Sequence, residues 1–247
     1  MALYDFAAPR LFVDAPLAGR ARVPLERAQA NYLLNVLRLK AGDTVLVFNG
    51  RDGEWRATVT VEGRKAADLA VIEQTRAQPE PLDLVYLFAP LKHARLDYMV
   101  QKAVEMGAGA LKPVFTRRTQ ASRVNLERMR ANVIEAAEQC GIVSVPAVLA
   151  DENLDTALRA LEPDRLLVFA DEDAPLASAL AALEQERAAA KLAVLVGPEG
   201  GFTDEERARI LAHPRVVRLS LGPRILRADT AAVAVLALVQ AALTDWR

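Results

Sequence analysis

The pattern of hydrophobic and polar residues changes once along the chain, and the first pattern occupies residues 1–75. An apolar run at 44–48 is strand-like, and residues 54–61 alternate between apolar and polar positions, as in a half-buried strand whose alternate side chains face the core. Residues 68–73 are a further short strand candidate. A helical spacing at 27–37 interrupts them. Residues that tolerate positive φ separate the first two strands: Asn49, Gly50, Asp52 and Gly53. We therefore predict a small β-barrel-like module.

The second pattern occupies residues 79–247. It begins within the polar segment 78–81, whose prolines restrict the backbone and mark a domain boundary. Continuous apolar runs alternate there with stretches of helical periodicity. Uninterrupted apolar runs are typical of strands buried on both faces, so this part predicts an α/β domain with a parallel sheet covered by helices. The predicted strands are 84–88, 111–115, 166–170, 192–196 and 216–219.

Capping residues predict where several helices begin. Asn125 can cap one helix, and Thr203 has the capping-box spacing with a glutamate three residues later. An Ala/Leu-rich stretch predicts a helix at about 175–189, and Asp229 or Thr230 is expected to cap the last one. The apolar run 231–243 is shorter than the ~20 residues that span a bilayer, so we expect a buried helix in a cytoplasmic protein.

The composition limits the kinds of binding site that the chain can form. The formal net charge is −1, which does not by itself indicate nucleic-acid binding, but the stretch 112–130 carries six basic residues against one glutamate. That stretch is either a site for a polyanion or an ordinary solvated face. One cysteine excludes an internal disulfide and a multi-cysteine zinc site. We expect Cys140 to be a buried, inert thiol, and His93 and His213 to be ordinary residues.

Two glycine-proline loops are the strongest candidates for a ligand site. Residues 197–202 read Gly-Pro-Glu-Gly-Gly-Phe, and 219–227 read Leu-Ser-Leu-Gly-Pro-Arg-Ile-Leu-Arg. Neither matches a dinucleotide fingerprint or a phosphate-binding P-loop. Each lies between a strand and a helix, where glycine lets a ligand approach the backbone. The alternative is a pair of tight structural connections.

These loops, with three further segments, resemble the RsmE family of 16S ribosomal RNA uridine-N3 methyltransferases, of the SPOUT superfamily. Residues 35–43 with 48–50 resemble the family's PUA-like RNA-binding barrel. Residues 95–107 and 135–141 resemble motifs of the family's catalytic domain. All of these segments follow one another in the same order as in the family. The chain departs from the family pattern at His93 and Asp229, beside the motifs.

The resemblance implies a C-terminal trefoil-knotted domain that binds S-adenosylmethionine through three loops, without a metal. It implies these cofactor-binding residues: Phe169, Ala170, Leu195, Gly197, Pro198, Gly200, Gly201, Leu219, Leu221, Gly222, Ile225 and Leu226. It also implies a homodimer acting on 16S ribosomal RNA, within the 30S subunit and away from any membrane.

For the chemistry, two roles stay open at this point. Glu199 could accept the N3 proton or only order its loop, and Arg224 could stabilise the developing uracil anion. The expected RNA-binding residues are Arg38, Lys40, Arg117, Arg118 and Arg227. The rival hypotheses are a non-catalytic RNA-binding or ribosome-assembly protein on the same scaffold, and a small-molecule nucleotide enzyme.

Overall fold

The computed structural model describes residues 8–62, 66–92, 94–244 and 246. Its residues cluster into two compact units. The first comprises Met1–Glu80 together with Ile134–Val145, and the second comprises Pro81–Val133 and Pro146–Arg247.

A five-stranded mixed sheet forms the first unit. Its strands are β1 (Arg10–Phe12), β2 (Arg22–Pro24), β3 (Thr44–Phe48), β4 (Glu54–Glu62) and β5 (Ala66–Arg76), in the order β1-β3-β4-β5-β2. β1 runs parallel to β3, whereas the other pairs are antiparallel. A short helix, α1 (Arg27–Asn31), continues into a π-helical turn, Tyr32–Val36.

Alternation along the strands builds the core of this unit. Val45, Val47, Ala57 and Val59 point inward from β3 and β4, and Leu33 of the π-helical turn covers them. The strands and helix expected from alternation are thus confirmed, whereas β1 and β2 were missed. Those two strands have three residues each, too few for alternation to be detected.

One buried carboxylate connects the parts of the first unit. Glu54 accepts hydrogen bonds from Arg10 Nε and from Arg76 Nε, both at 2.9 Å. Arg10 also donates to the carbonyl of Ala137, and Arg76 to that of Gly141, at 2.9 Å each. Burial raises the pKa of Glu54, but the hydrogen bonds and positive charges around it outweigh that effect, and its pKa is lowered overall.

An all-parallel sheet, as far as the described strands extend, forms the second unit. Its order is β12-β10-β11-β6-β7-β8, with β9 also paired to β7. The strands are β6 (Leu84–Phe88), β7 (Ala110–Phe115), β8 (Ala147–Val148), β9 (Glu152–Asn153), β10 (Leu166–Ala170), β11 (Leu192–Val196) and β12 (Val216–Leu219). All five residues of both β10 and β11 are buried, which explains their uninterrupted apolar sequence.

Six helices accompany these strands: α2 (Ala94–Glu105), α3 (Leu126–Gln139), α4 (Leu154–Ala160), α5 (Ala179–Glu184), α6 (Asp204–Leu211) and α7 (Ala228–Leu243). The predicted cap of α3 is confirmed, because Asn125 Oδ1 accepts from the Arg128 amide at 3.0 Å. The capping box of α6 is confirmed at Thr203 and Glu206. As expected, α7 is largely buried, and it packs against α2, α5 and β11.

Two helix boundaries differ from the prediction. α5 is shorter than 175–189, because the Ser178 side chain caps it by accepting from the Ala181 amide at 3.2 Å. The cap of α7 is Arg227, and neither Asp229 nor Thr230 fills that position. Asp229 lies in the first turn instead, where its carboxylate binds Arg95. None of the described helices combines the length and the hydropathy needed to cross a bilayer.

Candidate active site

The carboxyl ends of three neighbouring strands lie level at one edge of the parallel sheet. Ala170, at the end of β10, is in register with Val196 at the end of β11 and with Leu219 at the end of β12. The chain segments that leave these strands therefore start side by side. Together with the first turns of α7 they enclose a cavity of about 450 Å³.

All three loops that the resemblance singled out line this one cavity. Nine predicted cofactor-binding residues are on its wall: Ala170, Gly197, Pro198, Gly200, Gly201, Leu221, Gly222, Ile225 and Leu226. Phe169, Leu195 and Leu219 are instead buried strand residues in the core. They hold the ends of the strands from which the loops depart.

The wall contains further residues that were not predicted for it. They are Asp171, Glu172, Ala174, Leu176, Val196, Ser220, Pro223, Ala228 and Ala231. The loop after β10 carries no glycine, so it gave no sequence signal of the kind that marked the other two. Its position directly after a buried parallel strand could have identified Asp171 and Glu172.

The loop after β11 leaves no room for side chains at two of its glycines. Gly201 has a φ of +68°, and a β-carbon there would overlap the Glu172 carboxylate. A β-carbon at Gly197 would overlap the ring of Phe202. That ring packs edge-on against Phe169, with centroids 5.3 Å apart, and so anchors the loop to the core.

A buried carboxylate holds the loop after β10. Asp171 accepts hydrogen bonds from Arg207 Nε at 3.0 Å and from Arg218 Nε at 2.6 Å, and its side chain has no exposed surface. Arg207 also pairs with Asp173 at 2.8 Å and with Glu172 at 3.4 Å. Because Asp171 is buried between two guanidinium groups, we assign it the structural role of holding this loop.

Glu199 belongs to a chain of three charged groups. Arg95, in the first turn of α2, donates from Nη1 to Glu199 Oε1 at 2.9 Å. The same guanidinium donates from Nε to Asp229 Oδ2 at 3.0 Å and from Nη2 to Oδ1 at 3.2 Å. The hydrogen bond from Arg95 is the main reason that the pKa of Asp229 is lowered. Arg95 thereby joins α2, the loop after β11 and the start of α7.

The other predicted catalytic residue, Arg224, lies on the cavity wall with an exposed side chain. Its neighbour Ile225 is 94% exposed, and Leu176, which also lines the cavity, is 70% exposed. Arg227, also exposed, occupies the cap position of α7. This side of the cavity therefore combines cationic and large apolar groups that are open to a ligand or partner.

The predicted RNA-binding residues lie in both units. In the first, Arg38 and Lys40 are exposed just after the π-helical turn, and Arg38 has a φ of +59°. In the second, Arg118 lies directly against the cavity, where its Nη1 donates to the Gly200 carbonyl at 2.7 Å. The exposed Arg117 is fixed through its backbone amide, which donates to Glu206 at 2.8 Å.

The basic stretch 112–130 does not form one patch. Lys112 is engaged by Glu152 at 3.0 Å, and Arg128 by Asp97 at 2.6 Å. The expectation for Cys140 was wrong, because its side chain is exposed beyond the last turn of α3. His213 Nδ1 lies 3.1 Å from the Arg215 carbonyl, in keeping with an ordinary structural residue. His93 lies outside the described residues.

Comparison with known proteins places this geometry in a family. Residues 78–240 match the family model described as RNA methyltransferase domain, and residues 25–72 match the RNA methyltransferase PUA domain. Ribosomal RNA small subunit methyltransferase E of Synechocystis sp. is 35% identical over 240 residues, which cover 95% of this chain and 78% of the relative. The chain belongs to the ribosomal RNA small subunit methyltransferase E family.

Two further members of that family also match almost the whole chain. The methyltransferase E of Rickettsia conorii is 29% identical over 232 residues, 94% of each chain. The crystal structure of the Neisseria gonorrhoeae methyltransferase E, bound to S-adenosyl methionine, is 27% identical to this chain. It superposes with a TM-score of 0.86 and covers 97% of this chain and 100% of the other.

Membership in the methyltransferase E family confirms the resemblance that the motifs indicated. The expected fold class is confirmed with it: a small PUA-like domain precedes a SPOUT-type α/β domain with a parallel sheet. The roles of the individual side chains around the cavity remain predictions.

Proposed function

We propose that the protein transfers a methyl group from S-adenosylmethionine to N3 of a uridine in 16S ribosomal RNA. One observation supports this most directly. The three loops expected to hold the cofactor enclose a single cavity at the carboxyl edge of the parallel sheet. The family relatives are small-subunit ribosomal RNA methyltransferases, and one of them was solved with the same cofactor.

The cavity fits this cofactor in size and in chemistry. Its volume of about 450 Å³ lies in the range of small-molecule sites. Leu221, Ile225 and Leu226 offer an apolar wall to an adenine ring, while bare backbone at Gly197 and Gly201 allows close approach. The carboxylates of Glu172 and Glu199 on the same wall suit the positive charges and hydroxyl groups of an adenosyl methionine.

The cofactor supplies an electrophilic methyl group on a positively charged sulfur. The protein must then orient the uracil ring, exclude water and take up the proton that leaves N3. Glu199 and Arg224 are the two groups on the wall with suitable chemistry. Glu199 would accept the proton, and Arg224 would stabilise negative charge on the ring oxygens.

The contact with Arg95 bears on the role of Glu199. Oε1 is engaged by Arg95 at 2.9 Å, which leaves Oε2 as the oxygen that would meet the uracil N3–H. If Glu199 only orders the loop, Glu199→Gln should keep most of the single-turnover rate. If it is the base, the rate should fall by about 10²–10⁴. Near-wild-type rates in both Glu199→Gln and Arg224→Ala would overturn the proposed mechanism.

The RNA must present an accessible base. N3 lies on the Watson–Crick edge, so the target uridine is unpaired or extruded when it reacts. We assign contacts with the sugar-phosphate backbone of the RNA to Arg38 and Lys40, in the domain of residues 1–75. In the domain of residues 79–247 we assign such contacts to Arg117, Arg118 and Arg227. Alanine at Arg38 and Lys40 should weaken RNA binding and leave cofactor binding unchanged, and an equal loss of both would contradict this division.

A homodimer is part of the proposal. The highly exposed Ile225 and Leu176 border the cavity, and apolar side chains of this size are commonly covered by a partner. A second copy seated there would complete the site. The reaction would take place in the cytoplasm, on RNA within the 30S subunit.

Two measurements test the function. A calorimetric titration with S-adenosylmethionine should show binding, and its absence would favour a non-catalytic RNA-binding protein. Incubation with deproteinised 16S RNA or with 30S subunits, followed by nucleoside mass spectrometry, should yield N3-methyluridine. A methylated nucleoside of another kind would refute the N3 assignment but keep the methyltransferase.

A further inference from the structure

A second cavity, of about 420 Å³, lies in the C-terminal unit and is separate from the one described above. It is formed between α2, the segment 120–125 and the first turns of α3. None of its lining residues belongs to the wall of the first cavity. Its volume again falls within the range of small-molecule and nucleotide sites.

The second cavity opens at the same edge of the sheet as the first. Leu91 and Lys92 follow the carboxyl end of β6, and segment 120–125 follows that of β7. β6 is hydrogen-bonded to β11, from which the Gly197–Gly201 loop departs. The two cavities therefore lie beside neighbouring strand ends, where one extended polymer can reach both.

The mouth of the second cavity carries positive charge. Lys92 and Arg123 are both exposed on its wall, and neither forms an ion pair with any other residue that the structure describes. The remaining charged groups of the wall are Arg128 and Asp97, which neutralise one another at 2.6 Å. The wall thus has a net excess of two cations, as expected for a site that receives an anion.

Hydrogen bonds between α2 and α3 run along one wall of this cavity. The Asp97 carboxylate accepts from Arg128 Nε at 3.1 Å and from Asn132 Nδ2 at 2.7 Å, which ties α2 to α3. Apolar side chains of Leu96, Val100 and Met129 lie beside this network. Apolar side chains together with the side-chain amides of Gln120, Asn125 and Asn132 suit the face and edge of a nucleobase.

We propose that this second cavity binds one nucleotide of the RNA substrate, a neighbour of the nucleotide that is methylated. Lys92 and Arg123 hold its phosphate, and the base lies against Leu96 and Met129 with its edge toward Gln120 and Asn125. The inference rests on the proposed function, because it takes RNA as the ligand. It adds a contact that fixes which stretch of RNA reaches the first cavity.

The test compares the full-length double variant Lys92→Ala/Arg123→Ala with the wild type. The probe is a short fluorescein-labelled single-stranded RNA of mixed sequence, and its affinity is measured by anisotropy across a salt series. We expect affinity to fall by about tenfold if the two contacts are strongly coupled and by about a hundredfold if they are independent, because each charge-assisted hydrogen bond to phosphate is worth about tenfold. The slope of log K against log salt should become shallower by about 0.7 for each lost phosphate contact.

Arg130→Ala is the matched control, because Arg130 is an exposed arginine of the same basic stretch outside the cavity wall. It should bind RNA as the wild type does, and Arg123→Lys should restore part of the affinity that Arg123→Ala loses. Affinity for S-adenosylmethionine should be equal in all variants. If the double variant binds RNA as Arg130→Ala does, the second cavity is not an RNA site.

The outcomes for the cavity and for the overall function are separable. Wild-type protein that methylates RNA, with a double variant of unchanged RNA affinity and KM, refutes the cavity proposal alone. Wild-type protein that binds RNA through this cavity but transfers no methyl group refutes the methyltransferase function and leaves the cavity as an RNA site.

Discussion

Arg95 shows how a single side chain can organise the candidate active site. It contacts two carboxylates that lie 104 and 134 residues further along the chain, Glu199 and Asp229. The family motif drew attention to the helix that contains Arg95. Nothing in the sequence, however, indicates that these three positions meet, because their proximity is set by the sheet order and by the return of α7. The sequence therefore identified Glu199 as a candidate but missed the residue that holds it.

Arg95→Ala should weaken binding of S-adenosylmethionine by about tenfold, since it removes a charge-assisted contact from the cavity loop and another from α7. The measurement is a calorimetric titration of the folded variant.

Arg209→Ala is the control for Arg95→Ala. Its ion pair with Asp155, at 2.8 Å, joins two side chains that are both exposed to water, so its loss should change the stability of the fold very little. Cofactor affinity should not change in this control. Wild-type affinity in Arg95→Ala would show that the loop keeps its shape without the arginine.

At the scale of elements, long periodic segments were predicted well and short ones were not. The buried strands β10 and β11 and the capped helices α3 and α6 follow from local signals that the structure confirms. β8 and β9, of two residues each, exist only through their pairing with β7. Such strands have no periodicity of their own, so no reading of the local sequence could have found them.

The packing of α7 against α2 depends on a glycine at the end of α2. Gly107 has a φ of +79°, and a β-carbon there would overlap the amide of Gln240. That amide, buried in an otherwise apolar helix, donates to the Met106 carbonyl at 2.7 Å. The polar residue in α7 thus fixes the register between the two helices.

Gly107→Ala should lower the free energy of unfolding by more than about 2 kcal/mol, because a strained backbone is combined with displacement of Gln240. Chemical denaturation of the ligand-free protein measures the change.

Gly222→Ala provides the comparison for Gly107→Ala within the same unit. Its φ is +102°, but nothing lies within 4 Å of the added carbon. Only the strain of the positive φ should therefore lower the free energy of unfolding in this variant. Equal losses in the two variants would show that the contact with Gln240 adds nothing.

The whole molecule combines two units with different means of stabilisation. The second has a continuous apolar sheet, whereas the first contains a buried ionic network of Arg10, Glu54 and Arg76. The sequence predicted two successive hydrophobic patterns. It predicted neither this ionic network nor the assignment of residues 134–145 to the first unit. The apolar face of α3 runs through that division without a change of pattern.

Glu54→Gln should destabilise the first unit by about 3 kcal/mol at neutral pH, because the largely buried Arg10 and the partly buried Arg76 lose their counter-charge. The pKa of Glu54 is lowered in the folded state, so its contribution is present above its unfolded pKa of about 4.3 and is lost as pH falls through the folded value. The difference in free energy of unfolding between wild type and variant should therefore stay constant at neutral pH and shrink as the pH falls below about 4.3.

Denaturation can be monitored in a Trp246→Phe background, which leaves Trp55, in β4, as the single tryptophan. Glu73→Gln is the control, because Glu73 pairs with Arg56 at 2.9 Å in the same sheet but both side chains are exposed. If the difference in free energy of unfolding between wild type and Glu54→Gln did not change with pH, the assignment of a negative charge to Glu54 would be contradicted.

The division of residues between the units also has a consequence for biosynthesis. Carbonyls at Ala137 and Gly141 accept hydrogen bonds from Arg10 and Arg76, so the N-terminal unit lacks part of its own structure until residue 145 has left the ribosomal exit tunnel. By then β6 and β7 have already been translated. The nascent chain therefore cannot complete its first unit before part of its second has been synthesised.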